Sequence, residues 1–152
     1  MSIEERTFLM IKPDAVQRNL IGEIISRIEH KGLRIVGMKF LQVTPELAAK
    51  HYEVHKERPF YNGLVKFITS SPALAIVAQG KSAVSVGRLL VGSTNPVEAS
   101  PGTIRGDYGL DIGRNMVHAS DSVENAKYEA SVYFNDNDLI DWSPVSDEWV
   151  YE

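Results

Sequence analysis

The sequence predicts a domain of mixed architecture, either α+β or α/β, in which helices cover a sheet. Short apolar runs rich in β-branched residues recur along the chain, and segments with apolar residues at helical spacing separate them. In chain order the predicted elements are β, α, β, α, β, α, β. This alternation is typical of a sheet with helices packed against it.

The N-terminal part predicts a buried strand followed by an amphipathic helix. Residues 7–11 form an apolar run that ends at Lys12 and Pro13, so proline is expected to stop the strand. The helix is expected to end near Gly32, a residue type common just past helix ends. Its apolar positions at helical spacing are Ile21, Ile24, Ile25 and Ile28.

The middle of the chain predicts a second strand and two further helical segments. Residues 33–43 are rich in β-branched side chains and alternate in part, which favours a strand. Thr44 is a typical helix cap, and the proline after it suits the first turn of a helix that reaches about residue 54. A break at residues 59–63 precedes a short helix over residues 64–69.

A third strand and helix precede a long loop. The strand is predicted over residues 73–78, and the helix over residues 82–91 closes at Gly92. Residues 93–114 are rich in Gly, Pro, Ser, Thr and Asn. A loop of this length in a compact domain usually carries function or is disordered.

The last predicted strand begins at Met116, and Ser122 caps a helix that runs through about residue 134. An acidic segment with scattered aromatic residues follows to residue 152. Connections of helix length join the first two strands and the last two. This connectivity is compatible with the split β-α-β arrangement of ferredoxin-like domains, in which an antiparallel sheet carries helices on one face.

Length and composition indicate a cytoplasmic protein with one domain over residues 1–152, long enough to bury a core. No run of 18 or more apolar residues occurs, so no membrane-spanning helix is expected. The first six residues lack the basic start and apolar stretch of a signal peptide. The absence of cysteine removes disulfides and thiolate sites and fits a reducing compartment.

Charge is distributed unevenly along the chain, whose net charge is −4. Residues 1–118 carry 15 Lys and Arg against 11 Asp and Glu, whereas residues 119–152 carry one Lys against nine Asp and Glu. The acidic C-terminal segment argues against nucleic-acid binding as a main role. It leaves room for a local cationic pocket built from the first 118 residues.

Residues 115–122 surround one histidine with groups that could orient it and receive an anion. Asn115 and Ser120 flank His118, and Arg105 and Arg114 lie shortly upstream. Neutral imidazole is nucleophilic near pH 7 and becomes a good leaving group once it carries a transferred group. The octapeptide is therefore compatible with chemistry on a phosphate, and equally with a histidine that ends a strand and bonds its neighbours.

Polar residues in the other predicted breaks extend this set. The chain has no Walker sequence, so phosphate would be held by side chains and not by a glycine loop. Cationic donors suit a polyphosphate, and Phe60 and Ile112 offer apolar surfaces to a base. The further polar and aromatic members are Lys12, Tyr52, His55, Arg58, Phe60, Arg88, Thr94 and Arg105.

Taken together, these stretches closely resemble nucleoside diphosphate kinases. The matching segments include Ile-Lys-Pro-Asp-Ala-Val-Gln-Arg at 11–18 and Arg-Pro-Phe-Tyr-Asn-Gly-Leu-Val at 58–65. They continue with Thr-Asn-Pro at 94–96, Pro-Gly-Thr-Ile-Arg-Gly-Asp-Tyr at 101–108 and Gly-Arg-Asn-Met-Val-His-Ala-Ser-Asp at 113–121. The resemblance covers nearly the full length, and the Asn-x-x-His-(Gly or Ala)-Ser-Asp motif is highly specific.

The resemblance implies an α+β ferredoxin-like sandwich: a four-stranded antiparallel sheet covered by helices, with a long functional loop and a C-terminal segment. It also implies a ping-pong exchange in which His118 takes the γ-phosphate of a nucleoside triphosphate and passes it to a nucleoside diphosphate. Glu129 would orient the imidazole, with Ser120 nearby. The residues implied to bind the nucleotide are Lys12, Tyr52, Phe60, Arg88, Thr94, Arg105, Ile112 and Asn115.

The cofactor implied by the resemblance is Mg²⁺, held through the nucleotide phosphates and not by a protein cage. Members with this long C-terminal segment tend to be hexamers and shorter ones tetramers, so a homohexamer is favoured. His51 and His55 lie four residues apart, but the His-Glu-x-x-His signature is absent. No metal site held by protein side chains is therefore predicted.

Two positions depart from the family pattern. Ala119 stands where many members have Gly, and because alanine reaches positive φ only at a cost, the turn after His118 is expected to keep φ negative. Tyr108 and Gly109 replace the commoner Phe-Cys or Phe-Ala and are expected to loosen the loop without affecting the chemistry.

The alternative function is a ferredoxin-like regulatory module that binds triphosphates without turnover. Fold alone does not determine function, so both interpretations share one architecture. The presence of His118 together with Ser120 and Glu129 favours the enzyme.

Overall fold

The computed structural model of the chain describes residues 4–152. Within that range the strands are β1 (Arg6–Ile11), β2 (Arg34–Leu41), β3 (Ala73–Gln79) and β4 (Val117–Ala119). The α-helices are α1 (Pro13–Gln17), α2 (Ile21–Lys31), α3 (Pro45–His51), α4 (Tyr61–Ile68), α5 (Ala83–Val91), α6 (Ile104–Tyr108), α7 (Val123–Tyr133) and α8 (Asp147–Val150). Short 3₁₀ helices occupy Glu53–His55, Pro96–Glu98, Ile112–Arg114 and Asp136–Asp138.

The strands form one antiparallel sheet in the order β2-β3-β1-β4. Helix α2 lies between β1 and β2 along the chain, and α5 lies between β3 and β4. This is the ferredoxin-like arrangement, and the prediction of a four-stranded antiparallel sheet covered by helices is confirmed. As a consequence for the site, β4, the strand that carries His118, pairs directly with β1, one of the two central strands.

Helices cover both faces of the sheet. Every residue of β3 is buried, as are all residues of β1 after Arg6, which fits their continuous apolar runs. On one face, sheet residues such as Leu9 pack with α2 and α5, as in a simple ferredoxin-like domain. On the other face, sheet residues such as Phe8 pack with α3, α4 and α7. The connection between β2 and β3 supplies α3 and α4, and α7 follows β4.

Three local predictions differ from the structure. Pro13 begins helix α1 as well as ending the strand, because proline fits the first turn of a helix, where no N–H partner is needed. Helix α4 begins at Tyr61, inside the predicted break. The predicted loop at residues 93–114 contains α6, because the Thr103 hydroxyl accepts the Gly106 N–H at 2.9 Å and caps that helix.

The C-terminal segment packs along the outer edge of β2. Ile140 N–H donates to the Val36 carbonyl at 2.8 Å, and the Trp142 indole donates to the Ile35 carbonyl at 2.9 Å. These contacts lie at an irregularity of β2 between Ile35 and Gly37. None of the helices in residues 4–152 combines the length and the apolar character that crossing a membrane requires.

Candidate active site

The site is centred on His118, which lies in the middle of β4 opposite Met10. Its Nε2 is 2.7 Å from Oε1 of Glu129, on α7, and the imidazole is partly exposed. The Ser120 hydroxyl donates to the same carboxylate oxygen at 2.5 Å. Because a carboxylate only accepts hydrogen bonds, Nε2 carries the proton and Nδ1 keeps its lone pair. The structure thus brings together the three residues predicted to be catalytic.

Glu129 is held in its charged form. Burial pushes the pKa of Glu129 upward, but the hydrogen bonds from His118 and Ser120 and the electrostatic interaction with His118 outweigh burial. The net result is a pKa below the ordinary value of 4.5. At neutral pH the carboxylate therefore remains an acceptor and fixes the tautomer of the imidazole.

Two arginines hold the backbone on either side of His118. Arg88, on α5, donates to the Ala119 carbonyl at 3.0 Å, and Arg105, on α6, donates to the Val117 carbonyl at 2.6 Å. Arg105 is buried and also donates to the carbonyls of Asn115 and Gly92. Burial lowers the pKa of Arg105 to about 10, with the nearby Arg88 adding to the effect, so the guanidinium is charged at neutral pH.

Lys12 and Asn115 connect β1 to the loop. The Lys12 ammonium donates to Oδ1 of Asn115, whose amide nitrogen donates to the Thr94 carbonyl at 3.1 Å. Burial lowers the pKa of Lys12 to about 8, against the opposing charge of Asp14 and with help from Arg105. Lys12 therefore titrates just above neutral pH.

Asp14, which no sequence pattern marks as part of the site, holds the backbone before β4. Met116 is buried and adopts a φ of +70°, a left-handed conformation that costs a non-glycine residue about 1–2 kcal/mol. Oδ2 of Asp14 accepts the Met116 N–H at 3.1 Å, and the Lys12 N–H donates to the Met116 carbonyl at 2.8 Å. These contacts stabilise the turn that leads into His118. No local pattern could have revealed a pairing across 102 residues.

The aromatic and apolar residues predicted to contact the base lie at the surface. Phe60 and Ile112 are 50% and 57% exposed, so neither belongs to the core, and a base could reach both. Tyr52 contacts the rings of His51 and His55, and burial raises its pKa to about 12. The roles of these three residues in nucleotide binding stay predictions.

His51 is the second residue that sequence analysis did not place at the site. Its ring centroid lies 5.1 Å from that of His118 in an edge-on arrangement, and its Nδ1 is 2.7 Å from the Tyr133 hydroxyl. Burial lowers the pKa of His51 to about 3, and the neighbouring His118 adds to this effect, so the ring is neutral. His55 instead packs against Phe60. The four-residue spacing of His51 and His55 in the sequence did not point to His118.

The two departures from the family pattern have local explanations. Ala119 lies in β4 and is not among the described residues with positive φ, so the expected negative φ is confirmed. Tyr108 packs its ring against the Arg27 guanidinium at 5.0 Å, and its hydroxyl accepts from Arg27 at 3.3 Å. This contact packs the C-terminal end of α6 against Arg27 of α2, and the expected loosening of the loop stays a prediction.

Comparison with known proteins finds relatives that match nearly the whole chain. The nucleoside diphosphate kinase family model matches residues 5–139. Over 148 residues the chain is 60% identical to a nucleoside diphosphate kinase of Staphylococcus epidermidis, covering 97% of this chain and 99% of that protein. The corresponding protein of Archaeoglobus fulgidus is 55% identical, with 97% and 98% covered.

A solved structure extends the similarity to three dimensions. It is that of a halophilic nucleoside diphosphate kinase from Halobacterium salinarum in complex with CDP. Its TM-score to this chain is 0.95 at 49% sequence identity, with 98% of this chain and 99% of that chain covered. The sequence, the fold and the family match therefore agree, and the chain belongs to the nucleoside diphosphate kinase family.

Proposed function

We propose that this chain transfers the γ-phosphate of a nucleoside triphosphate to a nucleoside diphosphate through a phosphohistidine at His118. The observation that carries this proposal is the 2.7 Å contact between Nε2 of His118 and Glu129, which leaves Nδ1 as the nucleophile. The family match supports phosphoryl transfer between nucleotides. It does not favour the alternative of a regulatory module without turnover.

The proposed reaction has two symmetrical halves. The lone pair of His118 Nδ1 attacks the γ-phosphorus, and the bond from phosphorus to the β–γ bridging oxygen breaks, which releases a nucleoside diphosphate. The proton on Nε2 stays in the hydrogen bond to Glu129, whose negative charge offsets the positive charge that develops on the ring. In the second half a terminal oxygen of a new diphosphate attacks the phosphohistidine, and the imidazole leaves as a neutral ring.

Phosphate binding is assigned to Lys12, Arg88 and Arg105, with Thr94 and Asn115 as polar neighbours. Three of the five N–H groups of Arg105 bond backbone carbonyls, so two remain for phosphate oxygens. Charge-assisted bonds of this kind suit a polyphosphate. The exposed surfaces of Phe60 and Ile112, with the ring of Tyr52, are proposed to contact the base and the sugar.

We also propose Mg²⁺ as the cofactor. Arg88 and Arg105 bond the carbonyls on either side of His118. The carboxylate beside the imidazole, Glu129, already accepts hydrogen bonds from His118 and Ser120. Such surroundings suit Mg²⁺ that is carried by the nucleotide and not held by protein carboxylates. Mg²⁺ carried on the nucleotide would neutralise part of the phosphate charge, and Lys12, Arg88 and Arg105 would offset the rest.

For quaternary structure we propose a homo-oligomer, with a hexamer favoured over a tetramer. Met38 and Phe40 on the edge strand β2 are 51% and 59% exposed, and such apolar side chains on a strand edge suit burial against another copy. A cytoplasmic location is proposed from the cysteine-free composition, which fits a reducing compartment.

The central test replaces the nucleophile. His118→Ala is expected to reduce phosphoryl exchange by at least about a thousandfold, because the group that forms the intermediate is gone. Binding of a nucleoside diphosphate is expected to persist, since Lys12, Arg88 and Arg105 remain. Incubation of the parent protein with labelled triphosphate should give an acid-labile phosphoprotein that the variant lacks. A variant that keeps more than a tenth of the parent activity would overturn the phosphohistidine mechanism.

A further inference from the structure

The side chain of His51 has one ring nitrogen without a described partner. His51 is 8% exposed, its Nδ1 contacts the Tyr133 hydroxyl at 2.7 Å, and its Nε2 is buried with no hydrogen bond. Buried polar atoms are nearly always paired, so an orphaned nitrogen indicates a ligand that binds there. The edge-on contact between the two rings places the His51 side chain beside His118.

The candidate ligand atoms of His51, His118 and Glu129 all lie within 4.8 Å of one another. Two histidines and one glutamate form a donor set that binds zinc with a coordination position left open. We propose that His51, His118 and Glu129 bind Zn²⁺, and that the bound ion arrests the phosphoryl-transfer site. This inference rests on the proposed function for its effect on catalysis, whereas the metal site itself rests on geometry alone.

The required rearrangement is small. A tetrahedral Zn²⁺ with bonds of about 2.1 Å holds its ligand atoms about 3.4 Å apart. Nε2 of His118 and Oε1 of Glu129, now 2.7 Å apart, would separate slightly. The ligand atom of His51 would approach the other two atoms by about 1.4 Å at most. The Tyr133 hydroxyl accepts from Nδ1 when the His51 proton is on that atom, which presents the Nε2 lone pair to the metal.

The arrest follows from the two nitrogens of His118. Without metal, the Nε2–H group donates to Glu129 and the Nδ1 lone pair is free. When Zn²⁺ takes the Nε2 lone pair, the single ring proton moves to Nδ1, so no proton is gained or lost overall. The nitrogen that would attack phosphorus then has no lone pair to donate. The ion therefore acts by holding the opposite tautomer.

The same donor set discriminates against Mg²⁺. Zn²⁺ binds imidazole nitrogen well, whereas Mg²⁺ prefers six oxygen ligands in octahedral geometry and keeps several waters. Mg²⁺ carried on nucleotide phosphates therefore does not compete for the two histidines. Excess Mg²⁺ is expected to leave Zn²⁺ affinity unchanged.

The first experiment measures metal binding without nucleotide. Titration of the full-length protein with Zn²⁺ in a calorimeter should give one site, and the ¹⁵N resonances of His118 should show its proton moving from Nε2 to Nδ1. His51→Gln should lower Zn²⁺ affinity at least tenfold. His30→Gln is the matched control, because His30 is an exposed histidine on α2 and should bind Zn²⁺ like the parent.

A second variant covers the case in which His51→Gln does not fold. Tyr133→Phe keeps the buried ring but removes the hydroxyl that orients His51, and it should lower Zn²⁺ affinity about 10- to 100-fold. Equal Zn²⁺ affinity in the parent and in the folded variants would overturn the proposed site. A bound Zn²⁺ that leaves the proton on Nε2 would overturn the proposed arrest. Failure of the metal-free protein to form phosphohistidine would instead overturn the proposed function.

Discussion

At the scale of single residues, the proposed mechanism depends on one carboxylate that accepts hydrogen bonds from two donors. Glu129 accepts from His118 and from Ser120, and both bonds favour its charged form. A carboxylate can only accept, so it selects one tautomer of the imidazole. The position of the proton on His118 is therefore determined by a residue on a different element.

Glu129→Gln is expected to slow phosphorylation of His118 about 10- to 100-fold, a typical cost of losing such an orienting partner. The amide can donate to Nε2, which favours the tautomer with the ring proton on Nδ1 and leaves fewer rings able to attack. Diphosphate affinity is expected to stay near the parent value. Single-turnover phosphorylation measures the rate, and the exposed Glu124→Gln on the same helix is the control. A parental rate in Glu129→Gln would show that the carboxylate does not orient the nucleophile.

Lys12 gives the site a dependence on pH. Its pKa is lowered to about 8, so its positive charge is present below that pH and is lost as the pH rises. Diphosphate affinity is therefore expected to fall about tenfold between pH 7 and pH 9, if binding requires the charged ammonium. Calorimetry across this range measures the effect. Lys12→Arg keeps its charge and should flatten the profile, whereas a flat profile in the parent would exclude this role for Lys12.

At the scale of elements, the short strand β4 is held in place by side chains from its neighbours. Pairing with β1 supplies backbone bonds, and Arg88 and Arg105 bond the carbonyls on either side of His118. The strained residue Met116 precedes the strand and is held by Asp14. The backbone around His118 is thus held by the buried Arg105, by Arg88 and by the Asp14 carboxylate.

Arg105→Ala is expected to lower the free energy of unfolding by about 2–4 kcal/mol, because three carbonyls lose charge-assisted partners in a buried site. Arg88→Ala is the matched control, since Arg88 is exposed and bonds one carbonyl, and its loss should cost less than about 1 kcal/mol. Urea denaturation at fixed protein concentration measures both. Similar losses in the two variants would show that Arg105 does not support the loop.

At the scale of the whole molecule, the edge strand β2 is covered over only part of its length. The C-terminal segment bonds the carbonyls of Ile35 and Val36, and beyond them Met38 and Phe40 remain exposed. An uncovered apolar strand edge favours association with another chain. This surface is therefore the one through which we expect copies of the chain to assemble.

Phe40→Lys is expected to reduce the assembly to smaller species, because a charge at a buried edge would be desolvated without a partner. Light scattering should give six times the chain mass for the parent and a lower mass for the variant. Val54→Lys is the control, because Val54 is exposed and lies outside the sheet. A parental mass in Phe40→Lys would exclude β2 from the interface.

The sequence by itself determined most of the elements and the family, and it pointed to His118 as the proposed nucleophile. Apolar periodicity, caps and helix-ending glycines are local patterns, which is why the sheet strands and helices such as α2 and α5 were predictable. The motif around His118 is also local, and with the other matching segments it was enough to identify the family. The short helices α1 and α6 were missed because proline and glycine in a sequence mark both turns and helix ends.

Only the tertiary structure decided how the site is supported. Asp14 contacts Met116 across 102 residues, and Arg105 directs its donors to carbonyls that no pattern in its own segment indicates. His51 lies against His118 because α3 packs on one face of the sheet that contains β4. Such contacts depend on which distant segments pack together, and packing is a property of the whole fold and not of residue spacing.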